Sequence, residues 1–186
     1  MNQKTKNLTL SAILIALATV LAVISNILPI RLPYGGSVTL ASMVPIILIG
    51  ILCGTKWGLL SGVVYGVIQM LFGFYPAPTQ TLFDNILVVL LDYILAFGVL
   101  GLSDVFFCLT GKKVYSVAFS AFAVTTLRYI CHILSGVIIW SVYKEAEQTA
   151  LAYSLIYNGS YMIPEIILST AVTALLFPLI QKQKAR

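Results

Sequence analysis

Apolar residues in this chain fall into long unbroken runs, at 8–30, 40–53, 57–74, 82–109, 114–143 and 153–180, separated by short polar connections. Runs of this kind read as helices that cross lipid. A bilayer offers the backbone no water, so only helices or closed barrels traverse it, and the runs lack the period-two alternation of barrel strands. A crossing takes about 20 apolar residues, so a chain of 186 residues accommodates six with short links. The second run is short for a full crossing; it is expected to stand nearly upright, to be extended by Val38 and Thr39, or to be buried among its neighbours. The first run resembles a secretory signal only superficially, because its core is too long and no A-x-A-like site follows. Pro164 is expected to kink the last helix. The predicted fold is an all-α integral membrane protein, one domain over 1–186 with six transmembrane helices.

Composition agrees with that pattern. With 60% hydrophobic residues, 9% charged and a mean hydropathy of +1.01, the chain is far from the roughly 25% charge of a soluble domain. The net charge of +5 would suit nucleic acid, but the basic residues occupy the ends of the runs. With the N-terminus inside, Lys4, Lys6, Lys56, Lys112, Lys113, Lys182, Lys184 and Arg186 lie on the inner side, Arg31 and Lys144 on the outer side, and Arg128 within the fifth run. Lys and Arg are biased toward the cytoplasm, so both termini are expected there, and no nucleic-acid partner is implied. Cys53, Cys108 and Cys131 show no CxxC spacing and read as free thiols, with no metal site. No Walker A loop, GxSxG elbow or HExxH is present. Energy for any transport must therefore come from an ion gradient or a partner protein.

Charged groups within lipid cost about 2.5 to 3.5 kcal/mol on insertion scales and call for a partner or a function. At about 1.5 Å of rise per residue, Asp92, His132 and Glu165 converge at one depth from three different helices, with Arg128 one turn deeper. Arg128, His132, Gly136 and Trp140 recur every four residues and share one helical face. Gly136 leaves a gap that admits either a neighbouring helix or a flat ligand. Asp84 and Asp92, eight apart, share a face of the fourth helix, and Tyr153, Tyr157, Asn158, Tyr161 and Glu165 make a polar aromatic segment on the sixth. Together they describe an outward-opening pocket suited to a cationic flat heterocycle: a carboxylate offsets its charge, aromatic faces attract it, and amide and phenol groups read its polar edge. An anionic substrate fits poorly.

Each group also has a plainer reading. Arg128 with Glu165 or Asp92 can be a structural ion pair, and Asp84 a solvated residue at a helix N-terminus. Trp140, Tyr143, Tyr153 and Tyr157 can form an interfacial aromatic belt, and His132 can bond across helices. An intramembrane acid-base or metal enzyme built on His132 with Glu165 or Asp92 is conceivable, but a single histidine supplies too few ligands for a typical catalytic zinc. A self-sufficient secondary transporter lacks the inverted repeat expected of its class.

The stretches GGSVTLASMVPI (35–46), LLDYILAFGVLGLSDVF (90–106), RYICHILSGVIIW (128–140) and YSLIYNGSYMIPE (153–165) resemble the thiamine-specific substrate-binding subunit (S component) of energy-coupling factor (ECF) transporters. The resemblance implies a multi-pass protein of the bacterial cell membrane that binds thiamine on its outer side, is not an enzyme, needs no cofactor, and docks on a transmembrane coupling protein with two ATPase subunits, which alone use ATP. It implies that Asp92, Tyr93, His132, Trp140, Tyr153 and Asn158 contact the vitamin; the residue pattern itself adds Gly136, between His132 and Trp140, and places Asp84 and Glu165 in secondary positions. Asp92 stands where the family pattern carries glutamate. Tyr34, beside Gly35 and Gly36, takes the place of a tryptophan-containing lid in the first outer loop. The family's Ala-x-x-x-Ala contact to the coupling protein matches Ala12 with Ala16, or Ala18 with Ala22; small residues let helices approach closely, within the bundle as well as toward a partner. A sister subunit for another vitamin or a thiamine precursor is the nearest alternative.

Overall fold

The computed structural model describes residues 2–27, 38–111 and 113–184; among them the chain forms helices and turns and no strand. Helix α1 spans Gln3–Ile27. After it, α2 (Val44–Cys53) and α3 (Thr55–Phe72) are separated by Gly54 alone. Gly54 has φ +91°, a left-handed conformation that a residue without Cβ adopts cheaply, and its amide closes α2 on Gly50 O at 2.9 Å. Helix α4 is a continuous 28-residue rod, Leu82–Leu109. It departs from α geometry twice, in a π turn over Val89–Leu95 and a 3-10 turn over Val99–Leu102. Helix α5 (Val114–Ile138) runs on into a 3-10 turn, Trp140–Tyr143. Helix α6 (Ala150–Leu175) continues through Pro164, and a short α7 (Phe177–Lys184) follows.

The described part of each apolar run is thus helical, with ends shifted by a few residues. Among the described residues, α1, α4 and α5 contain segments long and apolar enough to cross a membrane, with mean hydropathies of 2.5, 2.4 and 1.5. Helices α3 and α6 are long but diluted, α3 by Lys56 and Gln69, α6 by Asn158, Ser160 and Glu165. Helix α2, with 10 residues, rises only about 15 Å against about 30 Å of hydrocarbon. Burial among its neighbours is the alternative it takes: Ile46, Ile47, Ile49 and Ile51 are all fully enclosed and centre the core. A helix apolar on every side is stable only when surrounded.

Outside and inside are inverted relative to a soluble protein. Leu8, Leu71 and Leu175 are 60%, 82% and 80% exposed, while Ser61, Ser103, Ser120, Thr125 and Ser169 are buried. Several interior hydroxyls bond backbone carbonyls of other helices. Ser103 Oγ donates to Ile47 O at 2.7 Å and Tyr65 OH to Ala18 O at 3.2 Å, and Ser120 Oγ donates to Ser103 O. Such bonds and close backbone approach hold helices together where lipid removes the hydrophobic driving force. Ala18 and Ala22 are 0% and 5% exposed, so their spacing serves packing within the bundle, whereas Ala12 and Ala16 face outward. Cys53, Cys108 and Cys131 are free thiols.

A close backbone contact joins α3 and α4 at Gly58 and Gly101. A Cβ on Gly58 would stand 2.6 Å from Gly101 O and 2.8 Å from its Cα, and one on Gly101 would overlap the Gly58 backbone. Overpacking of this kind costs on the order of 1–3 kcal/mol or more. Gly101→Val is therefore expected to lower the Tm of the detergent-solubilised protein by several degrees. Gly73→Ala, whose Cβ would meet nothing within 4 Å, is expected to leave it unchanged.

Candidate functional site

A cavity of about 1390 Å³ lies between α3, α4, α5 and α6. It opens at the end of the bundle that carries the exposed residues Gly73, Tyr75 and Glu145, and its inner wall is made by Tyr65, Phe97 and Met162. Asp92 is on this wall because of local geometry. It lies within the π turn of α4, and such turns concentrate at functional sites. Asp84, by contrast, does not line the cavity. Its carboxylate accepts from Thr81 Oγ1 at 2.8 Å and from Thr79 Oγ1, and its amide donates to Thr81 Oγ1 at 3.1 Å, which makes it a helix N-cap partner. The shared face does not bring the two aspartates to one place, because Asp84 stays in the exposed first turn of α4 with Thr79 and Thr81.

Asp92 is held by three neutral donors from α5 and the turn after it. His132 Nδ1 donates to Oδ1 at 2.9 Å, and Ser135 Oγ and Trp140 Nε1 donate to Oδ2 at 2.6 and 3.2 Å. Trp140 Nε1 also reaches Ser135 Oγ at 3.1 Å. Because the carboxylate accepts at Nδ1, neutral His132 carries its proton there and presents the Nε2 lone pair. That Nε2 is buried and without a partner. Ser135 was not singled out by sequence; its position three residues after His132, on the same helical face, is the signal that identifies it.

Gly136 resolves its two readings in favour of a neighbouring helix. A Cβ there would overlap Ser154 Oγ and stand 2.8 Å from Ser154 Cβ and 2.9 Å from Asn158 Nδ2. Through this gap α6 approaches α5, and Ser154 Oγ donates to Ile133 O at 2.8 Å while Asn158 Nδ2 donates to His132 O at 3.1 Å. Asn158 Oδ1 accepts from Tyr161 OH at 2.6 Å. Asn158 lines the cavity, but both ends of its amide are engaged in holding the helices. Tyr153, Tyr157 and Tyr161 run along the wall from mouth to interior. The first two rings are stacked at 5.8 Å and 20°, and Tyr161 meets His132 edge to face at 5.9 Å.

Tyr93 also lines the cavity, and its hydroxyl donates to Gly73 O at 2.8 Å and accepts from Tyr75 N at 3.4 Å. It ties the 73–81 connection to α4, as does Asn85 Oδ1, which accepts from Ala77 N at 3.0 Å. Glu165 is 3% exposed, and its Oε1 accepts from Thr39 N. Thr39 carries no sequence signal for this contact. Tyr34 lies outside the described residues.

The ion pair considered for Arg128 does not form: its Nε and Nη1 are buried without a partner, and its guanidinium lies 3.7 Å from the centre of the Phe97 ring. Asp92 is already satisfied by neutral donors and Glu165 Oε1 is drawn to the Thr39 amide, so neither carboxylate reaches it. Among the described residues the cavity lining thus carries three carboxylates, Asp92, Glu145 and Glu165, against one guanidinium, Arg128. Arranged with indole and phenol rings, this excess of negative charge suits a flat cationic ligand.

An all-helical membrane protein with a deep, carboxylate-bearing aromatic cavity defines the class. The family of thiamine transporter proteins (Thia_YuaJ) matches residues 8–185. The thiamine transporter ThiT of Bacillus subtilis (strain 168) is 34% identical over 177 residues, covering 89% of this chain and 87% of that protein. A solved structure of ThiT from Listeria monocytogenes superposes with a TM-score of 0.75 at 23% identity, covering 98% of this chain and 99% of that one, and shows the same fold. The chain belongs to the thiamine transporter family, and is a transport protein, not an enzyme.

Removing the Tyr93 hydroxyl should release the mouth loop. In Tyr93→Phe the Tyr75 amide is expected to exchange its hydrogen several-fold faster, with a stability loss of about 0.5–1.5 kcal/mol. Hydrogen exchange resolved to the 73–81 peptide checks it.

Proposed function

We propose that this chain is the high-affinity thiamine-binding subunit of an ECF-type importer in a bacterial cell membrane. Its six helical segments are arranged as one domain across the bilayer, with both termini in the cytoplasm and the short α2 enclosed by the others, and the cavity opens to the outside. The observation that carries the reading is Asp92: a carboxylate on the wall of an open aromatic cavity, held by His132, Ser135 and Trp140, all without a counter-charge. The thiazolium ring of thiamine supplies that charge, and Trp140, Tyr157 and Tyr161 offer it aromatic faces. His132, Tyr153 and Asn158 line the same space, with Tyr93 and Gly136 shaping it. The name of the Bacillus subtilis relative, thiamine transporter, supports the same ligand.

Delivery across the membrane falls to a transmembrane coupling protein with two ATPase subunits, since the chain has no P-loop; ATP is used only there. The outward-facing pair Ala12 and Ala16 on α1 is the surface that meets the coupling protein, where small side chains permit close approach. Ala12→Leu is expected to leave thiamine binding intact and to abolish uptake in cells containing the coupling module.

Thiamine added to the purified protein is expected to quench tryptophan fluorescence saturably. Trp57 and Trp140 are the only tryptophans, so the quench should be largely lost in Trp140→Phe. Asp92→Asn should weaken binding by about tenfold or more, the loss of a charge pairing worth on the order of 1.4 kcal/mol or greater. Saturable binding of riboflavin or of the pyrimidine precursor in preference to thiamine would assign the subunit to another ligand.

A further inference from the structure

Two orphan groups face the same cavity one helical turn below the Asp92 cluster, so Glu165 lies level with Arg128 and not, as its position along the sixth run suggests, with Asp92 and His132. Arg128 Nε and Nη1 are buried donors without an acceptor, and Glu165 Oε2 is a buried acceptor without a donor. Both residues line the cavity. Their juxtaposition follows from the antiparallel pairing of α5 and α6. The rings of His132 and Tyr161 meet at 5.9 Å, and stepping four residues back along α5 and four forward along α6 moves in the same direction, to Arg128 and Glu165. Buried polar groups are nearly always paired, and exceptions call for an explanation. A buried guanidinium is the most expensive of them, and contact with Phe97 offsets only a part.

We propose that Arg128 and Glu165 form a second subsite that recognises a ligand hydroxyl, and so determine specificity for the hydroxyethyl arm of thiamine. This rests on the thiamine reading above. A hydroxyl is the group that satisfies both orphans at once: its oxygen accepts from Arg128 and its hydrogen is donated to Glu165 Oε2. An ether satisfies only the first, and an ester of phosphate places negative charge against Glu165. The spacing also fits. One turn is about 5.4 Å, comparable to the reach from the charged ring nitrogen along the two-carbon arm to its oxygen. The polar groups otherwise suited to the arm are engaged, Tyr93 OH with Gly73 O and Asn158 with His132 O and Tyr161 OH. Glu165 is itself steadied by the Thr39 amide, which leaves Oε2 for the ligand.

The test compares thiamine, deoxythiamine (hydroxyl replaced by hydrogen) and the thiamine methyl ether by calorimetry on the purified protein. Wild type is expected to bind both analogues roughly ten- to a hundredfold more weakly than thiamine, because each leaves a buried polar group unpaired. In Glu165→Gln and Arg128→Met the thiamine-to-deoxythiamine ratio should fall toward unity, whereas in Asp92→Asn all three ligands should weaken with the ratio preserved. Equal binding of thiamine and deoxythiamine by wild type overturns the subsite while leaving thiamine as the ligand, as does full discrimination retained in a folded Glu165→Gln or Arg128→Met protein. No saturable binding of any of the three overturns the thiamine reading and the subsite together.

Discussion

The site depends on one constraint: a carboxylate within a lipid-facing bundle must find enough hydrogen bonds without being paired to a cationic side chain. Asp92 does so with donors that are all neutral, His132, Ser135 and Trp140. Had Arg128 paired with it, the cavity would have lost the charge proposed to attract a cationic ligand. Instead, the guanidinium lies one turn away over Phe97. Keeping apart two opposite charges that share a cavity costs stability and leaves each available to a different part of a ligand.

The helix packing serves that separation. α4 brings Asp92 to the cavity through a π turn, and α5 supplies all of its donors except Trp140, which reaches back from the 3-10 turn beyond the helix end. α6 closes against α5 through Gly136, where any side chain would collide with Ser154 and Asn158. The largely buried α2 and the Gly58–Gly101 contact between α3 and α4 pack the bundle densely beyond the cavity. Residues that look like ligand contacts by type, Asn158 and Tyr93 among them, also hold this architecture in place, so binding and folding draw on the same side chains.

A transport protein of this size has little chain to spare for anything but the cavity and its walls. Its exterior is correspondingly plain, with large apolar side chains toward lipid. The outward-facing Ala12 and Ala16 give α1 a smooth strip amid bulky neighbours such as Ile13 and Leu17, and small residues are what close helix approach requires.

By itself the sequence determined the helical runs, the apolar surface and the gathering of Asp92, His132, Trp140, Asn158 and Glu165 around one space, because hydropathy and the 3.6-residue period are local properties. What local periodicity does not encode is where a helix leaves that period and which neighbour it meets. Thr79 and Thr81 hold Asp84 at the start of α4, away from the cavity, and only the packed bundle decided that α2 is enclosed, that Gly136 admits a helix, and that Ala18 and Ala22 face inward while Ala12 and Ala16 face out. The partners of Asp92 and Glu165 were likewise settled by tertiary competition. Ser135 and the Thr39 amide, neither conspicuous in the sequence, reached the carboxylates first, since a hydrogen bond depends on distances that only the folded chain sets.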